Sequence, residues 1–88
     1  MNADRWEKLS ANDELRAIAA EVARAKVWER KDKDNFKSAI ERALELIDLS
    51  LSEPRWKGRL LMLLYLRTEL TLFYTEQKNG IETLYATL

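Results

Sequence analysis

The 88-residue chain contains no cysteine and no histidine. Without cysteine there is no disulfide and no thiolate that could serve as nucleophile or metal ligand. Without histidine the chain lacks the commonest metal ligand and the commonest general base near neutral pH. A chain of this length buries only about 60–65% of the surface that it exposes when unfolded, so it is marginally stable alone. Self-association is therefore the remaining usual source of stability.

An excess of charge of one sign and a long apolar run are also missing. Fifteen basic and fifteen acidic residues leave a net charge of zero, so the chain as a whole does not attract nucleic acid or an anionic membrane. The longest uninterrupted apolar run covers residues 60–66, whereas a membrane-spanning helix needs about 20. The first residues lack the basic start and apolar segment of a signal peptide. We expect a cytoplasmic protein that does not associate with membranes.

Glycine and proline are scarce, with two and one residues respectively. Alanine, leucine, glutamate, lysine and arginine predominate, and all five favour helix. The composition therefore predicts an all-α fold, with residues 1–88 forming a single domain. We expect an up-down bundle of three long helices with a short N-terminal helix, completed by self-association. The predicted elements are helices at about 3–9, 11–30, 35–51 and 54–78, followed by a tail at 81–88.

Capping residues mark where the three long helices should begin. Ser10 precedes an acidic residue by three positions, which is typical of a helix N-terminus. Asp32 or Asp34 is suited to cap the next helix. Ser52 is suited to cap the last one, since Pro54 would then lie in its first turn, where the missing N–H is tolerated.

The dipeptide Asn79-Gly80 permits two structures for the C-terminal part of the chain. It can end the last long helix through a residue in the left-handed conformation. It can also form the two-residue turn of a β-hairpin between residues 70–75 and 81–85. We favour the helix because the apolar segment begins far upstream and shows no strict alternation.

The last long helix is apolar on every side. Eleven of the fifteen residues from 60 to 74 are apolar or aromatic, and such a helix must be covered all round. Of the other two long helices, the first offers a narrow alanine-rich stripe, and the second offers one apolar stripe with Leu46 and Leu49 outside it, which indicates a second contact surface. If part of the set Leu61, Met62, Tyr65, Leu66, Leu72 and Phe73 stayed half exposed, the resulting patch would mark an interaction site.

These patterns predict a non-enzymatic module for protein–protein association, most simply a homodimer formed through the last long helix; another protein is a possible partner. The residues expected to anchor it, divided between core and interface, are Trp56, Leu60, Leu63, Leu66, Arg67, Leu70, Phe73 and Tyr74. Arg67 stands on an otherwise apolar side. Its stem can lie on the core with its charge in water, or it can pair with a carboxylate of another helix or chain, with Glu29 and Glu45 as candidates.

Two other functions are compatible with particular residues. Basic residues at 24–37 and 55–59, with Trp56 among them, could contact phosphates and stack on bases of nucleic acid. Glu41, Glu45 and Asp48 lie on one side of a helix and could share a divalent cation in an all-α carboxylate-metal hydrolase. Such enzymes need a second acidic pair on another helix, and none is evident. We predict no catalytic, cofactor-binding or metal-binding residues, and no cofactor.

Overall fold

The computed structural model describes residues 10–88, apart from the side chains of Pro54, Arg55 and Lys57. The predicted helix at 3–9 lies outside the described residues. Within residues 10–88 the fold is all-α and contains no strand, so the prediction of an all-α fold is confirmed there and the hairpin is not formed. The elements are α1 (Ala11–Trp28), α2 (Lys33–Leu51), a 3-10 segment (Pro54–Arg59), α3 (Leu60–Tyr74) and the short α4 (Glu82–Tyr85).

Helices α1 and α2 begin at the predicted caps. The backbone N–H of Asp13 donates to the Ser10 hydroxyl over 3.1 Å. The Asp32 carboxylate accepts hydrogen bonds from two backbone N–H groups, of Asp34 at 3.1 Å and of Asn35 at 3.2 Å. Helix α2 starts two residues earlier than predicted and ends where predicted, whereas α1 ends two residues earlier. Local capping chemistry therefore determines both starts.

The predicted helix at 54–78 is wrong at both ends. Its first six residues form the 3-10 segment, and the α-helix begins only at Leu60. Ser52 does not cap this element; it follows the end of α2, and its hydroxyl donates to the carbonyl oxygen of Leu49 over 2.7 Å. A 3-10 helix has three residues per turn, whereas an α-helix has 3.6. The direction of the Trp56 side chain therefore does not follow from the helical spacing of α3, and this side chain is fully buried.

Helix α3 ends at Tyr74, before the Asn79-Gly80 dipeptide that was expected to stop it. The residue in the left-handed conformation is Glu76, with φ of 64°. The N–H of Gln77 donates to the carbonyl oxygen of Leu72 over 3.0 Å, and the N–H of Glu76 donates to that of Phe73 over 3.2 Å. This pair of bonds is the Schellman pattern of a helix end. Gly80 also has a positive φ, of 79°, but in the turn that leads into α4.

Helix α2 is the element on which both other long helices pack. Helices α1 and α3 each contact α2, and the short α4 packs on α1. Apolar side chains from the four helices and Trp56 of the 3-10 segment form one buried cluster. The largest fully buried apolar residues in it are Trp56, Ile18, Ile40, Ile47, Leu63, Leu66, Leu70, Ile81 and Val22.

Candidate association surface

Helix α3 has a buried side and an exposed apolar side. Leu63, Leu66, Leu70 and Phe73 point into the core. On the opposite side, Leu61 is 83% exposed, Tyr65 54% and Leu64 47%. About half or more of each of these three large apolar residues thus remains in contact with water, although the chain has an intact core of its own.

We call the exposed side of α3 the outer stripe. Its members recur at intervals of three and four residues, so they are neighbours on the helix surface. They are Leu60, Leu61, Leu64, Tyr65, Thr68, Thr71 and Leu72, of which only Leu72 is half-buried and the others are exposed. The outer stripe therefore runs along nearly the whole length of α3.

No charged residue interrupts the outer stripe. The charged residues of α3 are Arg67 and Glu69, and helical geometry places one on each flank of the stripe. Arg67 pairs with Asp48 of α2 at 2.8 Å, and Glu69 pairs with Lys78. The hydrogen bond from Arg67 to Asp48 and the attraction between their charges raise the pKa of Arg67 above its ordinary value. Both flanking charges are thus neutralised within the chain.

The two threonines of the outer stripe direct their hydroxyl hydrogens back to the helix. Thr68 donates to the carbonyl oxygen of Leu64 over 2.9 Å, and Thr71 donates to that of Arg67 over 2.8 Å. Such bonds to the preceding turn are a common arrangement for threonine within helices. Because these donors are already used, covering the stripe would leave no threonine hydroxyl hydrogen without a partner.

The residues predicted as anchors divide between core and surface. Leu60 and Arg67 are exposed and Tyr74 is half-buried. The other five, Trp56, Leu63, Leu66, Leu70 and Phe73, are buried within the chain itself. Leu64 was not in any predicted set, although its spacing from Leu61 and Thr68 along the helix could have indicated it.

The predicted carboxylate partners of Arg67 are wrong. Its guanidinium binds Asp48 through Nε at 2.8 Å and through Nη2 at 3.4 Å, and both side chains are about half exposed. An exposed pair of this kind contributes about 0–1 kcal/mol. Glu29 instead accepts hydrogen bonds from the backbone N–H groups of Gly80 and Ile81, at 2.9 and 3.1 Å, which ties the end of α1 to the C-terminal segment. Glu45 is exposed.

A fully buried carboxylate, Glu14, was not anticipated. It accepts hydrogen bonds from the indole Nε1 of Trp56 at 3.2 Å and from the hydroxyl of Ser50 at 3.1 Å. These bonds join α1, α2 and the 3-10 segment. The burial of Glu14 could have been predicted from its spacing. Glu14 precedes Ile18 by one helical turn and Val22 by two, so it lies on the buried side of α1.

Several of the basic residues considered for nucleic acid contact other side chains of the same chain. Lys26 lies 5.2 Å from the centre of the Tyr85 ring, and Lys37 lies 5.1 Å from that of Tyr74. Lys33 forms an ion pair with Glu76. Of the second cluster, Arg59 lies 6.0 Å from the Trp56 ring. These contacts use the cations for links within the chain.

Two of the three carboxylates considered for a metal are engaged as well. Glu41 accepts a hydrogen bond from the Tyr74 hydroxyl at 2.7 Å, and Asp48 binds Arg67. Over residues 10–88, no three acidic side chains come close enough together to hold a metal ion.

The contact between Tyr74 and Glu41 should be visible in a pH titration. The hydrogen bond to Glu41 raises the pKa of Tyr74 above its ordinary value of 10.0. This contribution to stability is therefore present below pH 10 and is lost as the pH rises through the folded-state pKa. In an ultraviolet absorbance titration, the part of the tyrosinate signal that disappears in Tyr74→Phe belongs to Tyr74. We expect the midpoint of that part to lie above pH 10, and we expect Glu41→Gln to lower it. A midpoint at or below 10 would contradict the contact.

Comparison with known proteins adds neither a family nor a function: no family model matches the chain, and no curated protein or solved structure is significantly similar to it. In the part of the chain that the structure describes, every helix is too short or too polar to cross a bilayer.

Proposed function

We propose that the protein is a non-enzymatic helical association module, and that two copies form a homodimer by covering each other's outer stripe. In this dimer the three longer helices of each copy act as an up-down bundle that the partner completes. The observation that carries the proposal is the uncharged outer stripe, on which Leu61 is the most exposed large apolar residue of the described chain.

Burial of the outer stripe supplies the driving force. A leucine or aromatic side chain contributes about 1.5–3 kcal/mol when it passes from full exposure to full burial. Leu61, Leu64 and Tyr65 each have about half or more of that change still available. One helix face is small beside the roughly 800 Å² per partner of a standard interface. We therefore expect reversible association at micromolar concentrations.

A glutamate on the outer stripe should abolish the dimer. We expect Leu61→Glu to be monomeric, because dimerisation would bury its carboxylate without a partner. Leu61 is suitable because it makes little contact with the core, whereas Leu63 and Leu66 are buried and would test folding instead. Sedimentation equilibrium over the micromolar range measures the mass, and circular dichroism checks that the helix content is retained.

Val27→Glu is the matched control. Val27 is 54% exposed and lies near the end of α1, away from the outer stripe. The substitution Val27→Glu therefore adds the same charge as Leu61→Glu at another exposed apolar residue. We expect this variant to remain dimeric. A monomer mass for the unsubstituted chain at high micromolar concentration would refute the homodimer. Equal loss of dimer in both variants would show that added charge, and not the outer stripe, is responsible.

No comparable observation favours the two alternative functions. A nucleic-acid site would need cations that converge on one surface, and several of the described ones serve contacts within the chain. A metal-dependent hydrolase would need several free carboxylates in one place, and Glu41 and Asp48 are bonded to other side chains.

A further inference from the structure

We infer that Asn79 is a site of non-enzymatic modification, where asparagine converts to aspartate and isoaspartate, and that the Glu29 carboxylate slows this conversion. The inference concerns the segment between α3 and α4 and does not depend on the proposed homodimer. It comes from the hydrogen bond that the backbone N–H of Gly80 donates to Glu29 over 2.9 Å. The nitrogen of that N–H group is the atom that has to react.

The conversion consists of a ring closure and a hydrolysis. The backbone nitrogen of Gly80 loses its proton to hydroxide and forms a bond to the side-chain carbonyl carbon, Cγ, of Asn79. The bond from Cγ to the side-chain nitrogen breaks, and that nitrogen takes a proton from water and leaves as ammonia. Water then opens the cyclic imide. Opening at Cγ gives aspartate, and opening at the backbone carbonyl carbon gives isoaspartate.

Asn79 is the asparagine of this chain that best suits ring closure. The chain has asparagine at positions 2, 12, 35 and 79, and glycine follows only the last of them. A side chain on the following residue hinders the attack on Cγ, and glycine has none. The turn into α4 requires this glycine, because φ of Gly80 is 79°, where other residues are strained. Asn79 is also exposed, so water and hydroxide reach it.

The charge of Glu29 opposes the first step. Its carboxylate accepts hydrogen bonds from the N–H of Gly80 at 2.9 Å and from that of Ile81 at 3.1 Å. Removing the proton from the Gly80 nitrogen would create a second anion beside this carboxylate, and like charges disfavour ionisation. A carboxylate is also far too weak a base to remove that proton itself. Glu29 therefore keeps the reacting nitrogen protonated.

The same contact restricts the movement that ring closure needs. The Gly80 nitrogen has to approach Cγ of Asn79 from van der Waals distance to bonding distance. Two successive N–H groups are held by one carboxylate, and Ile81, which carries the second, is fully buried. The peptide group is therefore fixed while the contact lasts. Reaction requires local opening of the C-terminal segment, and the fraction of open molecules sets the rate.

Formation of isoaspartate should loosen the C-terminal segment. The backbone of isoaspartate passes through the former side chain, which lengthens it by one methylene group just before Gly80. The N–H groups of Gly80 and Ile81 then lose their alignment with Glu29, and Ile81 and Leu84 are the side chains which that segment buries. After incubation, we expect faster amide hydrogen exchange at residues 81–88 in the modified molecules. Equal exchange in modified and unmodified molecules would contradict this loosening.

Mass spectrometry of a tryptic digest measures the conversion at this one residue. Cleavage after Lys78 releases residues 79–88, which contain no other asparagine. At neutral pH we expect Glu29→Ala to convert about tenfold faster than the unsubstituted chain, the factor by which one hydrogen bond to a charged group typically shifts an equilibrium. Glu29→Gln keeps an acceptor oxygen without the charge and should convert at an intermediate rate. In urea, where the contact is lost, all three chains should convert equally fast.

Two controls separate this effect from general destabilisation. Ile47→Val is a mild core truncation near the end of α2, whereas Glu29 lies just before its start; while circular dichroism shows it folded, it should convert at the rate of the unsubstituted chain. Asn35 is followed by Phe36, whose N–H donates to the carbonyl oxygen of Asp32 over 2.9 Å, and should stay unmodified over the same period.

Three results would overturn the inference. The first is a rate in folded Glu29→Ala at or below that of the unsubstituted chain, which would mean that Glu29 does not protect the site. The second is an unsubstituted chain that converts as fast when folded as in urea. The third is an equal acceleration in Ile47→Val. None of them bears on the homodimer, which the molar mass tests separately.

Discussion

Leu63→Ala should lower the free energy of unfolding by about 2–5 kcal/mol, which is the usual cost of truncating a buried leucine to alanine. Leu63 is fully buried on the side of α3 that packs into the core. The loss combines the transfer energy of the removed methyl and methylene groups with the cavity left behind. Urea denaturation followed by circular dichroism measures it.

Leu61→Ala is the matched control, since it makes the same change two residues away in the same helix. Leu61 is 83% exposed, so we expect its replacement to change the stability of the monomer by less than about 0.5 kcal/mol. The measurement belongs at protein concentrations where the chain is monomeric. Comparable losses for both variants would contradict the assignment of the buried and exposed sides of α3.

Glu14→Ala should be the second severe substitution, with an expected loss of roughly 2–5 kcal/mol. The Nε1–H of Trp56 and the hydroxyl of Ser50 would both lose the Glu14 carboxylate as acceptor, and the loss of a buried hydrogen-bond partner costs about 1–3 kcal/mol. The variant also leaves a cavity where α1 meets the 3-10 segment. Denaturation of the variant gives the loss, and Trp56, which the carboxylate contacts at 3.2 Å, should show altered fluorescence in the folded state.

Asp13→Ala is the control that separates two effects of Glu14→Ala: the loss of a buried carboxylate and the loss of a negative charge near the start of α1. Asp13 precedes Glu14 in the first turn of α1 and is exposed. A carboxylate in that turn gains about 0.3–1 kcal/mol from the helix dipole wherever its side chain points. We expect the loss in Asp13→Ala to stay within that range. If Glu14→Ala cost no more than Asp13→Ala, the buried hydrogen bonds of Glu14 would contribute nothing to stability.

The starts of α1 and α2 could be predicted because they depend on neighbouring residues. Ser10 and Asp32 each bond to N–H groups two or three positions away, and these bonds form whatever the rest of the chain does. The buried side of α1 likewise follows from spacing, with Ile18, Val22 and Ala25 recurring at helical intervals.

The end of α3 could not be predicted, because local preference and tertiary packing disagree there. Glycine suits the left-handed conformation, yet Glu76 adopts it, at a cost of about 1–2 kcal/mol for a residue with a side chain. Ending the helix at Tyr74 lets the chain turn back and bury Ile81 and Leu84. Burial of these two side chains, at about 1.5–3 kcal/mol each, outweighs the backbone cost.

By itself, the sequence determined the helical class of residues 10–88, two of the helix starts and the excess of apolar side chains in the segment that contains α3. Only the tertiary structure decided which of those side chains the chain covers itself. Helical periodicity cannot make that choice when a helix is apolar on every side, because it identifies a buried face only by contrast with a polar one. Contacts with α2 and with the C-terminal segment cover one side of α3, and they leave Leu61, Leu64 and Tyr65 on the exposed side.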